Sequence, residues 1–452
     1  MGHLAQIGPL DDLALVWSEL CQCLFQAVGF QFHGQHLAGI RFAVRPVAQL
    51  FGYGAAFLAD HINVAVARDL IDPGRNLGAV RNGDQPVDTG FIVFNYANYP
   101  HLTRMFQDLD VPVSRSDMSF GASVNDGQIE YGLRNLRALA AQPRNLLRPG
   151  FAAMLRDILR FNAGAEALAN DDRTTIGALM DDLRLGSWFR RYYLLPIWGA
   201  IWSTPPAGIR NFPARALVRF FRNHALLGAT GQHQWWTVDG GSVEYLRRLE
   251  HVLRGRGVAI RAGTPVSGII RDGSQVTVHG PAGTDARFDQ VILACHADQA
   301  LRLLGQPSAQ ERAALSAVRF QDNRMVLHRD ARQMPRRKAA WSSWVYKADT
   351  TRPETAIGVT YWMNRLQNIP DSDPMFVSLN PSIEVPGHLI YDQTTFRHPV
   401  FDTGALAAQR RLRGLQGQNR TWFAGAWTRH GFHEDGFASA ARVARLMERQ
   451  IA

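Results

Sequence analysis

Apolar and polar positions alternate in distinct rhythms along this chain. In "FAAMLRDILRFNAG", Phe151, Met154, Leu155, Ile158 and Leu159 recur at three- and four-residue spacing. That spacing predicts a helix with those five on one face. "TPVSGIIRDGSQVTVHGPAG" reads as two strands joined at Asp272-Gly273, a hairpin signal. "FDQVILACHADQALRLL" reads as a buried strand entering a helix, with Asp298 placed to cap it. Near the carboxyl end, Thr421–Ala424 form a short apolar strand and Gly425 permits a tight turn. Asp435-Gly436 then lead into "FASAARVARLM", where Ala438, Ala441 and Ala444 keep the expected helix slim.

Residues 1–80 are apolar without regular period, and 83–234 are rich in aromatics and arginines. Residues 235–305 alternate strand and turn, 306–452 hold further strands, and no internal repeat stands out. The order of elements suits an α/β domain assembled from separated pieces of chain, with insertions long enough for a second domain. A length of 452 residues agrees with two or three domains.

Composition narrows the picture. Hydrophobic residues at 46% and charged ones at 19% belong to an ordinary globular protein. The three cysteines, Cys21, Cys23 and Cys295, make no disulfide framework or zinc site, so a reducing compartment is expected. No window is long and apolar enough to span a membrane, and a cytoplasmic protein is the default. The formal charge of +10 permits nucleic acid, anionic lipid or an acidic small molecule. No nucleic-acid motif accompanies it. The densest basic run, "MPRRKAAW", reads as a solvated loop or as a contact with anionic lipid headgroups at a membrane periphery.

In "GAWTRHGFHEDGFASAARVARLM" two readings compete. His430, His433, Glu434 and Asp435 could converge on a metal, but their spacing matches no common ligand set, and no metal is expected. Alternatively, the glycines and helix start present free N–H groups and partial positive charge to an anionic cofactor.

The residues then carry a resemblance. "FAGAW…GFHEDGFASAARVA" resembles the carboxyl-terminal flavin motif of the flavin-containing amine oxidase superfamily. With "VDTGFIVFNYANYPHL", "LLPIWGAIWSTPP", "VDGGSVEYLRRL" and "YWMNRLQ", it is closer still to a bacterial branch of FAD-dependent amine oxidoreductases, over roughly residues 83–447. The resemblance implies FAD and a Rossmann-like domain assembled from separated segments (1–95, 235–305 and 400–452). A mixed-sheet and helical substrate domain (96–234 and 306–399) would complete the fold. It places Asp88, Thr89, Gly90 and Phe91 beside the flavin ring and Val266 on the adenine side. Gly425, Ala426 and Trp427 then match the turn over the pyrophosphate and ribityl chain, and Glu434, Asp435 and Gly436 the helix start at the flavin's polar edge.

The amino terminus departs from that pattern. The closest stretch to the expected strand, GxGxxG and second strand is "RFAVRPVAQLFGYGAAFLADHINVAVARD", with "INVAV" as second strand and Asp69 as the ribose acid. Its loop lacks phosphate-facing glycines, and Arg45 would block a pyrophosphate. A cofactor-weak variant, a mis-assigned start and a local frame error upstream of about residue 80 all explain this. The abrupt return of the pattern at "NGDQPVDTG" favours the frame error, and resequencing would decide it.

The implied function is FAD-dependent hydride transfer from an amine or an unsaturated, lipid-like substrate. Trp235, Trp236, Tyr361 and Trp362 are the candidate pocket walls, Asn364 a polar handle and His224 the candidate base. The alternative is a catalytically impaired or flavin-free scaffold.

Overall fold

A computed structural model describes residues 64–67, 79–81, 85–169, 174–194, 197, 210, 212–223, 233–281, 285–350 and 358–451. Two sheets organise it. The smaller is parallel, in the order Val64–Ala67, Gln290–Leu293, Thr421–Phe423. Val291, Ile292, Leu293, Trp422 and Phe423 are all buried, as the unbroken apolar runs of a strand covered on both faces require. On one face Ile292 and Trp422 pack against Ala440, Val443 and Met447 of the carboxyl-terminal helix, His433–Ile451. On the other, Val291, Leu293 and Phe423 meet Ala300, Ala314 and Leu412 from three further helices. Helices thus sandwich the sheet as an α/β nucleotide-binding layer needs.

The larger sheet has seven strands, in the order Ile390–Val400, Arg319–His328, Phe376–Leu379, Gly358–Trp362, Trp344–Ala348, Phe120–Val124, Ile129–Gly132. Its pairs are antiparallel except Phe120–Val124 with Trp344–Ala348, which is parallel. One face carries Met325, Leu327, Val377 and Leu379 into a core shared with the helices Pro100–Asp108 and Ser242–Gly255. A second core lies against the long helix Pro149–Leu168.

The hairpin expected at Asp272-Gly273 forms between Gly268–Arg271 and Val276–His279, with Gly273 at φ +86°. Asp272 closes it by accepting from the Ser274 and Gln275 N–H groups. A strand, Val64–Ala67, starts in "INVAV" and runs one residue past it. Three expectations need correction. The buried stripe of Pro149–Leu168 is Phe151, Met154, Asp157, Phe161 and Ala165, while Leu159 is exposed. Asp157 takes a core position because its carboxylate accepts from the Gly186 N–H at 2.8 Å. The helix Ala297–Leu303 is capped at His296, whose N–H donates to Gln299 Oε1 at 3.0 Å; Asp298 instead pairs with Arg302 and Arg397. The last helix starts at His433, three residues before Gly436, because Phe432 C=O already accepts from the Asp435 and Gly436 N–H groups.

Candidate functional site

The carboxyl ends of the parallel strands set the site, since open α/β sheets bind ligands at that edge. Thr421–Phe423 runs into Gly425, whose φ of +135° with ψ of 156° is open to glycine alone. The turn Ala426–Thr428 follows, and Trp427 Nε1 donates to the Cys295 carbonyl (3.0 Å) at the end of the neighbouring strand. Ser439 Oγ accepts from the Gly425 N–H (2.9 Å) and donates to the Gly436 carbonyl (2.6 Å), so one hydroxyl fastens the turn to the last helix.

Against that helix lies the stretch Asp88–Phe91. Phe91 stacks on His433 with ring centroids 4.2 Å apart and planes 16° apart. Tyr245 Oη lies 3.1 Å from His433 Nε2. Burial pushes the His433 imidazole down to about 3, so the ring is neutral. Asp88 is buried, with its carboxylate accepting from the Ser242 N–H (2.9 and 3.0 Å) and from Gln367 Nε2 (3.1 Å). Its own N–H donates to Gln367 Oε1 (2.8 Å). Burial pushes the Asp88 carboxyl up to about 7, against the pull of the hydrogen bonds from Ser242. Asp88 therefore ties three segments together: the turn before Phe91, the start of the Ser242 helix and the end of Met363–Leu366.

The four residues of "HGFHED" that could have met at a metal diverge. His433 faces Phe91 and Tyr245, and Glu434 leaves for another helix. One Glu434 oxygen accepts from the His101 N–H (3.0 Å) and ring Nδ1 (2.7 Å), the other from the Leu102 N–H (3.0 Å). Glu434 is thus the remote cap of Pro100–Asp108, where Tyr99 offers no side-chain cap. Asp435 accepts from the Phe432 N–H (3.1 Å) and pairs with Arg429 (3.2 Å). Burial raises its carboxyl, opposed by His430 and Arg429. Among the described residues no group of three His, Cys, Asp or Glu side chains could hold a metal ion.

A group held here would meet backbone and rings, because these carboxylates are engaged inside the protein. The glycine-only turn at the sheet's carboxyl edge fits the flat, anionic FAD by its backbone shape. Val266 lies just before the strand Gly268–Arg271, partly buried against the core of the parallel sheet.

Of the expected pocket walls, Trp236 and Tyr361 pack with Phe91 on one core cluster. Trp344, which sequence reading missed, joins them and meets Tyr361 edge-on at 4.8 Å. Its strand "WVYKA" opens on three hydrophobic residues in a row, which marks neither face as functional. Trp344 Nε1 is buried with no acceptor among the described residues. Trp362, one residue on from Tyr361, takes the opposite face and packs edge-on against Trp341 at 5.2 Å. Asn364 is not a polar handle. Its amide closes the loop after Met363–Leu366 by donating to Pro370 and Asp373 carbonyls and accepting from the Met375 N–H. His224 and the loop containing Arg45, Gly52 and Gly54 lie outside the described residues, as does Asp69. In "MPRRKAAW", Arg337 pairs with the buried Glu130 (2.9 Å) and Arg336 with Asp126.

A nucleotide-type parallel layer joined to a large mixed sheet, with a glycine turn at the first and aromatics on the second, defines an FAD-dependent oxidoreductase fold. The model of the flavin-containing amine oxidoreductases matches residues 74–326. The chain belongs to that family, and its cofactor is FAD. Solved structures with the same fold include a CLA-producing fatty acid isomerase from P. acnes, with TM-score 0.58 and 15% identity over 86% of this chain and 92% of that one. Cyclohexylamine oxidase from Brevibacterium oxydans gives 0.55 and 14% over 86% and 94%. Putrescine oxidase bound to putrescine gives 0.54 and 12% over 88% and 95%. No curated protein sequence matches the chain.

Proposed function

We propose that this chain uses FAD to remove a hydride from an unsaturated, lipid-like small molecule. The aromatic wall carries the reading: Phe91, Trp236, Trp344 and Tyr361 gather on one core while remaining only partly buried. Ring faces and edges suit an extended apolar chain by area and dispersion. The Trp344 N–H supplies one donor for a polar end of the substrate. Thr89–Phe91 and Gly425–Trp427 would hold the cofactor, with Val266 toward its adenine, and Glu434 and Asp435 act by fixing the helix start. When bound, FAD supplies the hydride acceptor. The chain's own contribution is to position the reacting C–H bond and exclude water with these rings. A lipophilic amine is the second reading, favoured by the family to which the chain belongs.

Anaerobic mixing of the FAD-loaded protein with unsaturated fatty acids and, separately, with aliphatic amines tests both. Bleaching of the flavin absorbance by the fatty acids supports the first reading. Bleaching by amines alone would replace it with the second, and no bleaching by either class would count against both.

A further inference from the structure

Between the free edge of the seven-stranded sheet and the long helix, the usual placement of polar and apolar residues is inverted. Ile129–Gly132 is the edge strand, so part of its backbone faces away from the sheet. Gln142 Oε1 accepts from the Glu130 N–H (2.9 Å), and Asn145 Nδ2 donates to the Glu130 carbonyl (3.1 Å). Both side chains are wholly buried at 0% exposure. The segment's amides therefore point inward and cover an edge that would otherwise invite pairing. Three of its leucines point outward: Leu136 is 82% exposed, Leu147 86% and Leu146 55%. Two short elements hold them there, the helix Leu136–Leu139 and the turn Pro143–Leu147.

Cations are threaded between the leucines. Arg134, Arg137, Arg144 and Arg148 fall in this stretch, and no Asp or Glu occurs between Glu130 and Asp157. Among the described residues none of the four is in an ion pair; Arg144 and Arg148 both donate to the uncharged Gln128 carbonyl. The turn Lys338–Ala340 packs beside Leu136–Leu139, and its Lys338 is exposed. Clustered exposed leucines are rare on a soluble surface unless something covers them. A second copy is a poor cover, because a two-fold interface would set these arginines against their own kind. An anionic bilayer satisfies both features, taking leucines into the acyl boundary while guanidinium groups reach the headgroups.

We infer that residues 133–148, with Lys338, form a docking surface for an anionic lipid bilayer. The inference is independent of the substrate reading, because vesicle binding requires no turnover. The test is flotation of the full chain with vesicles of phosphatidylcholine, alone and mixed with phosphatidylglycerol. The protein should float with the anionic vesicles and not with the neutral ones. A Leu136→Ser/Leu147→Ser double variant should bind at least roughly tenfold more weakly. An Arg134→Gln/Arg137→Gln pair, which alters no buried side chain, should do the same. Ile270→Ser, an exposed apolar residue of the hairpin, should leave binding intact. Wild-type protein that stays unbound, or double variants that bind as wild type does, would overturn the proposal. So would a wild-type dimer in sedimentation velocity that the leucine pair dissociates, which would make the patch a self-interface.

Discussion

Asp88→Asn gives the sharpest test of the site's electrostatics. The carboxyl is buried and accepts from one N–H, that of Ser242, and from the Gln367 amide, with Asp88 at about 7 through loss of hydration. An unfolded aspartate ionises near 4. The folded chain therefore holds this proton more tightly than the unfolded chain does. Its contribution to stability is fully present below pH about 4 and is lost as pH rises to about 7. Integrating between pH 5 and pH 8 gives a wild-type loss of about 2–3 kcal/mol from this group alone. Asparagine with its one oxygen at the Oδ2 position keeps an acceptor for both the Ser242 N–H and Gln367 Nε2, but cannot ionise. Urea unfolding of wild type and Asp88→Asn at pH 5 and pH 8 measures the difference directly. The variant should lack that share of the pH dependence and should exceed wild type at pH 8. Equal pH dependence in the two proteins would refute the account, and would mean that the hydrogen bonds from Ser242 outweigh the burial.

Three further outcomes are expected. Glu434→Ala should cost about 2 kcal/mol by uncapping Pro100–Asp108, read as a lower thermal midpoint at neutral pH. Glu130→Ala should cost about 3–5 kcal/mol, since it strands Arg337 and the Arg336 N–H, and denaturant unfolding reads it. Gly425→Ala should cost about 1–3 kcal/mol from the strained backbone and weaken FAD retention, measured by flavin released on dialysis. FAD retained as in wild type by Gly425→Ala would remove that turn from the cofactor site.

The sequence by itself carried the period-based elements and the family motif. The hairpin at Asp272-Gly273 and the buried strand at Gln290–Leu293 are local events, set by turn chemistry and apolar spacing. The same held for the turn at Gly425, because a single strained residue announces itself in a strand–glycine pattern. What each polar side chain does was decided only by tertiary contact. Glu434 reads locally as part of a cofactor edge, but its partners are His101 and Leu102, more than three hundred residues away in the chain. Asn364 and Trp362 adjoin Tyr361 in sequence, yet strand alternation and loop closure send them elsewhere. Trp344 joins Tyr361 only because two strands pair in one register. Leu159 and Asp157 exchanged their expected places because a distant N–H at Gly186 satisfies a buried carboxylate. Local rules fix which backbone shape forms; which charge or ring faces a site depends on partners that only folding brings within reach.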